Sequence, residues 1–165
     1  MITLDEFKSQ IADVARPNRF LVTIQGADAK VQFLVKAAAL PGRDLGDIDV
    51  SWQGMKVKLA GDPSFNDLEL TIINDYNFTA RAFLEEWVNK IANMQSNERK
   101  NHSEYKSTVQ MDQLGRTESE ILRSYIIDGA YPKSLSNISL SMDTENTAEE
   151  FTVSFRYDNF RYGSL

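Results

Sequence analysis

The sequence predicts a mainly β protein: an antiparallel sandwich or barrel with one flanking helix, about residues 77–95, and a long hairpin arm. Three observations carry this. Apolar residues recur with period two through most of the 165 residues. A single stretch switches to the spacing of an amphipathic helix. Turn residues (Gly, Pro, Asn, Asp) punctuate the runs at short intervals. The length suits one domain over 1–165 with its own core. A composition of 42% hydrophobic and 10% aromatic residues is that of a folded chain.

In order, Leu4, Phe7, Ile11 and Val14 give a short amphipathic stretch, predicted helical and stopped before Pro17. Phe20, Val22 and Ile24 alternate up to Gly26, and Val31, Phe33 and Val35 alternate after it, so the two runs are expected to pair as a hairpin. Ile48, Val50 and Trp52 are separated from Met55, Val57 and Leu59 by Gln53-Gly54, the turn of a second, longer hairpin. Leu68, Leu70 and Ile72 make a fourth run. From Asn77 or Thr79, either able to cap, Phe83, Leu84, Trp87, Val88 and Ile91 form one helical face, ending near Met94 to Asn97. Residues 96–103 are polar and read as a loop. Strands are expected at Tyr105–Leu114, Glu120–Asp128, Leu135–Met142 and Phe151–Tyr157, with Gly129-Ala-Tyr-Pro132 and the acidic turn 143–150 between them.

The chemistry-bearing residues exclude more than they suggest. With no cysteine, a disulfide framework, a thiol nucleophile and thiolate zinc are impossible. A lone His102 in a polar loop has no second histidine to share a metal, and no Gly-x-Ser-x-Gly elbow aims a serine. It reads as a solvated loop residue. Asp62, Asp67 and Asp75 flank the fourth run and suit turn chemistry. The acidic run 143–150 lacks the glycine and ligand spacing of a calcium loop. No glycine-rich phosphate loop occurs. Eighteen basic against 24 acidic side chains give a net charge of −6, which argues against a surface that grips nucleic acid. Arg156 and Arg161 interleave with Tyr157, Phe160 and Tyr162, a pattern read as a core face in preference to a base-stacking platform. No basic region precedes an apolar run at the N-terminus, and no run nears the roughly 20 residues that span a bilayer. Trp52 near the hairpin tip either folds back onto the core or docks on a neighbour. Strand alternation alone leaves both open. No cofactor and no enzyme activity are expected.

Several segments in register resemble the tail tube proteins of contractile-tailed bacteriophages. They are Ala15-Arg-Pro-Asn-Arg-Phe20, Lys36-Ala-Ala-Ala-Leu-Pro41, Val57-Lys-Leu-Ala-Gly-Asp-Pro-Ser-Phe-Asn-Asp67, Asn74-Asp75 ahead of Phe83-Leu-Glu-Glu-Trp87, Glu104-Tyr-Lys106, Gly129-Ala-Tyr-Pro132 and Phe151-Thr-Val-Ser-Phe155. The resemblance covers essentially the whole chain. It implies one tail-tube domain over 1–165 and a non-enzymatic virion protein. Its hexameric rings would stack into the inner tail tube, hold the tape measure protein and conduct the genome into the host. The implied partners are further copies of itself, the tail sheath protein, baseplate tube-initiating proteins and the tail terminator. The resemblance further implies that DNA would pass through the lumen without specific binding and that assembly would take place in the host cytoplasm with no membrane insertion. The segment matching the family's inter-subunit arm is roughly Leu40 to Asp62, which favours an interface role for Trp52. The expected inter-subunit residues are Arg43, Asp44, Trp52, Met55, Asp143 and Glu145. Baseplate tube-initiating or tube-capping proteins, and the inner tubes of type VI secretion systems or contractile bacteriocins, share the fold and are the alternative.

Overall fold

The computed structural model describes Leu4 and residues 15–163, apart from 94, 95, 97, 118, 119, 144 and 146. The N-terminal helix expected from Phe7, Ile11 and Val14 lies outside these residues. Strand β1 (Phe20–Ile24) buries Val22 and Ile24. The chain then turns at Gly26, whose φ of 86° suits a residue without a side chain.

The predicted partner of β1 is not a strand. Ala29–Leu34 forms a short helix, α1, capped by the Asp28 carboxylate, which accepts the Lys30 N–H at 3.3 Å. Val31, Leu34 and Val35 share the dry side, at the i, i+3, i+4 spacing of a helix, while Phe33 is exposed. The Val31, Phe33, Val35 alternation was therefore a coincidence of two overlapping periods. Strand β2 (Val35–Ala38) follows and pairs with β5, not with β1.

The long hairpin is present as β3 (Arg43–Trp52) and β4 (Met55–Phe65). Strand β5 (Leu68–Ile73) alternates as expected. Helix α2 (Thr79–Ile91) buries Ala80, Leu84 and Trp87. Neither Asn77 nor Thr79 caps it: Phe78 occupies the cap position in the left-handed region, and Asp75 receives the Thr79 N–H at 2.8 Å and its hydroxyl at 2.9 Å. His102–Tyr105, which runs from the end of the stretch read as a loop into the first residue of the expected strand Tyr105–Leu114, forms one helical turn, α3.

Strands β6 (Ser107–Leu114), β7 (Ile121–Leu135) and β8 (Glu150–Arg156) complete the body. Gly129-Ala-Tyr-Pro132 does not interrupt β7; Gly129, with φ 70°, bends one continuous strand. The strand expected at Leu135–Met142 is absent, because pairing with β8 ends at Leu135. A further strand, β9 (Asn159–Gly163), pairs with β7 instead.

All pairings are antiparallel. The order β1-β6-β7-β8-β5-β2, with β9 also on β7, makes β7 the hinge of the architecture. Its first half pairs with β6 and β9, and its second half with β8. The two half-sheets pack as a sandwich without closing into a barrel. Between them lie Val22, Ile24, Val109, Met111 and Ile127 from one side and Leu68, Leu70, Ile72, Phe151, Val153 and Phe155 from the other. Trp87 joins this core against Phe155, at 5.8 Å between ring centroids, and donates its indole N–H to the Tyr105 carbonyl at 2.6 Å.

Candidate assembly surface

The β3–β4 ribbon forms a sheet of its own and, among the described residues, pairs with no other strand. Its tip is a two-residue turn with Gln53 at φ 48° and Gly54 at φ 82°, the paired positive values that let a hairpin keep its natural twist. Ten residues in β3 reach about 30 Å at the usual rise per residue. An isolated two-stranded ribbon is at best marginal in water.

Register determines what each face carries. Ile48 pairs with Leu59, Val50 with Val57 and Trp52 with Met55, so six large apolar side chains share one face. All six are exposed, Trp52 by 66%. The other face holds Asp47, Asp49, Ser51, Lys56 and Lys58, with Lys58–Asp47 at 3.4 Å and Lys56–Asp49 at 3.9 Å. Such exposed pairs add little stability, but they define a wet face. The ribbon is thus amphipathic, with its dry face bare.

Its root is firmly held. A bulge falls between Leu45 and Asp47, and there Gly46 and Gly61 approach so closely that a Cβ on Gly61 would lie 3.0 Å from the Gly46 carbonyl. Phe65 packs against Tyr157 and Phe160, both at 5.7 Å, and the Arg43 guanidinium lies 6.0 Å from the Phe160 ring. Asn66 donates to Asp44 at 3.2 Å. Just beyond, Asp67 takes Lys133 at 2.6 Å and Arg156 at 2.7 Å. The hydrogen bonds from these two cations hold the Asp67 carboxyl below its ordinary range.

The residues expected at interfaces therefore fall in three places. Trp52 and Met55 are paired at the ribbon tip. Arg43 and Asp44 sit at its root in contacts within the chain. Asp143 and Glu145 lie exposed on the loop between β7 and β8. Sequence reading missed the Asp67 clamp; the Asp beside Asn66 looked like turn chemistry. It also missed β9, whose aromatics complete the cluster of Tyr157, Phe160 and Tyr162. His102 is exposed on α3. Among the described residues, no three acidic or imidazole side chains gather as a metal site, and no helix is long and apolar enough to cross a membrane.

A β-sandwich with a projecting amphipathic ribbon is the scaffold, and the phage tail tube protein family profile matches residues 2–162 of it: the chain belongs to that family. It is 32% identical over 148 residues to tail tube protein gp19 of Enterobacteria phage T4, covering 88% of this chain and 90% of that protein. It is 29% identical to the tail tube protein of Serratia phage KSP90, covering 95% of each. Among solved structures, the sheath/tube terminator of an extracellular contractile injection system superposes with a TM-score of 0.73 at 16% identity, over 93% of this chain and 99% of that one, a likeness of fold.

Proposed function

We propose that this chain is the repeating subunit of a contractile phage's inner tail tube, acting as one unit over residues 1–165. Hexameric rings stack into a tube that encloses the tape measure protein and later conducts the genome. Assembly takes place in the host cytoplasm on baseplate tube-initiating proteins, inside the sheath, and a terminator ends it. The observation that carries this reading is the bare apolar face of the ribbon. Six exposed apolar side chains on a two-stranded sheet need a partner surface, and a repeating copy supplies one at every step. Open edges at β1 and β2 support ring closure by continuation of the sheets around the axis. A channel for DNA should not bind it, and a net charge of −6 agrees with a polar or acidic lumen. A lumen rich in lysine and arginine would contradict that part of the proposal.

The test is excision of residues 47–59 with a short glycine-serine link, followed by electron microscopy with the baseplate present. The expected product is a folded monomer that forms no tube. Tubes of normal width from that variant would refute the role of the ribbon.

A further inference from the structure

We infer that the ribbon of one copy seats its tip in a cleft beside helix α2 of the next. This rests on the tube reading above and names the surface that receives the ribbon. The cleft, about 510 Å³, is lined by Phe78, Arg81, Ala82, Glu85, Asn137 and Ile138. Arg81 pairs with Glu85 at 2.7 Å and donates Nη1 to the Ser136 carbonyl at 2.9 Å, which ties α2 to the segment leaving β7. With that charged pair matched inside the cleft, Phe78, Ala82 and Ile138 supply an apolar lining. Phe78 has φ 54°, the left-handed region that disfavours a bulky side chain and that Asn or Gly enters readily. Two hydrogen bonds hold it there: its N–H donates to the Asp75 carbonyl at 2.9 Å, and its own carbonyl accepts the Ala82 N–H at 2.8 Å. The ring gains little from the core in return, being 49% exposed. A strained aromatic residue that hardly serves its own core points to a use outside the subunit.

The surroundings of the cleft are apolar and open as well. Tyr76 is 99% exposed, and so is most of Phe33 on α1, a helix tied to this end of the sheet by Lys30–Asp75 at 2.6 Å. Leu140 and Met142 are exposed on the loop that leaves at Ser136 and returns at Glu149, whose carbonyl accepts the Asn74 N–H at 2.8 Å. The ribbon belongs to the other end. Its last residue, Phe65, comes just before β5 starts at Leu68, whereas Phe78 follows the end of β5 at Ile73. Six residues of strand separate the two by roughly 20 Å. Trp52 stays exposed and no ribbon residue lines the cleft, so a copy does not fill its own. A donor at one end and a receiver at the other make a heterologous contact, the kind that repeats along a stack. The six exposed apolar side chains of the ribbon present roughly 600 Å², and an equal area on the receiving copy brings the contact to the roughly 1,200 Å² at which stable interfaces begin.

Phe78→Asn separates the two roles of the residue. Relief of the left-handed strain should leave the melting midpoint of the free subunit equal to or above that of the natural chain, while the critical concentration for tube growth on baseplates rises roughly tenfold or more. Adding Trp52→Ala should worsen growth little beyond Trp52→Ala alone, since both changes remove one contact. The absence of cysteine makes that contact directly readable. Met55→Cys and Asn137→Cys, prepared as separate full-length proteins and mixed with baseplates under mild oxidation, should give a disulfide-linked heterodimer well above the homodimer formed by either alone, since bridging needs Cα atoms within about 7 Å. A clear fall in the melting midpoint of Phe78→Asn would show that the ring serves its own subunit and would overturn the assignment. So would normal tube growth by Phe78→Asn, including tubes of normal length that fail only to take up a sheath, or cross-linking in the mixture no greater than in the single proteins. Failure of the unaltered chain to build tubes on a baseplate would sink the tube reading, and the mixed cross-link would still judge whether ribbon and cleft meet.

Discussion

The chain has two tryptophans, and the structure predicts opposite consequences for truncating them. Trp87 is 6% exposed, in tilted ring contact with Phe83 and Phe155, with its N–H donated to the Tyr105 carbonyl. Trp87→Ala should cost about 3–5 kcal/mol for the lost core side chain and about 1 more for the orphaned carbonyl. For a chain of this size that lowers the unfolding midpoint by roughly 10 °C or more. Trp52 is 66% exposed at the ribbon tip and is paired across the turn only with Met55. Removing it from the free subunit should cost no more than a cross-strand pair, about 0.2–1 kcal/mol. In the proposed tube the exposed two-thirds would become buried. With about 250 Å² for a whole tryptophan, some 130 Å² beyond what alanine offers is at stake, or about 3 kcal/mol at 25 cal/mol per Å². Trp52→Ala should therefore raise the critical concentration for tube growth roughly a hundredfold and leave the melting curve of the subunit in place. Sedimentation and thermal unfolding read the two quantities separately. In a Trp87→Phe background Trp52 is the sole indole, and its emission should move to the blue on assembly. Unchanged assembly by Trp52→Ala together with a melting loss like that of Trp87→Ala would show that the ribbon folds onto its own body, and the argument for an intermolecular face would fail.

Other substitutions test the parts that hold the ribbon and the helix. Asp75 is held at about 2 by the hydrogen bond from Lys30, aided by Thr79 and opposed by desolvation. Its contribution is complete above the ordinary value of 3.8 and disappears as pH falls towards 2, so Asp75→Asn should be less stable than the natural chain near neutrality and should converge with it at the acid end of a pH series of urea titrations. Asp67→Ala frees Lys133 and Arg156, both about half exposed, and should cost only about 1 kcal/mol of subunit stability in the same titrations; the larger effect should be on tube growth, because the exit of the ribbon is no longer fixed. Gly61→Ala forces a Cβ against the Gly46 carbonyl and should splay the ribbon at its bulge, seen as faster proteolysis within 43–65 at an unchanged core melting temperature. His102→Ala should leave assembly, and infectivity of phage carrying it, unaltered, since the ring is exposed on a one-turn helix.

Strand alternation was legible wherever one side of a strand met the core. β1, β5, β6 and β8 stand within a residue or two of their expected places because Val22, Leu70, Met111 and Val153 obey a period of two. The failures have local causes. Six residues of α1 hold fewer than two helical turns, so Val31, Leu34 and Val35 could not outvote the alternation of Val31, Phe33 and Val35. Gly129 and Pro132 signal a break, yet a φ of 70° at Gly129 only bends β7. The helix cap came from Asp75, four residues before Thr79, a reach that a search for adjacent capping residues does not make. The ribbon shows the deeper restriction. Its alternation reports that one face must be dry, but an identical pattern arises whether the cover is the chain's own second sheet or another molecule. Only the arrangement in space bears on the choice: the inner faces of β5 and β8 are already covered by Val22, Ile24, Val109 and Met111 of the other half-sheet, which leaves no vacancy there for Ile48, Val50 and Trp52. Among the described residues the sandwich is complete without the ribbon, and in the proposed assembly a neighbouring copy would cover its apolar face. On the proposed reading each copy's apolar face would be satisfied by the next, and the contacts would repeat as they do in a polymer.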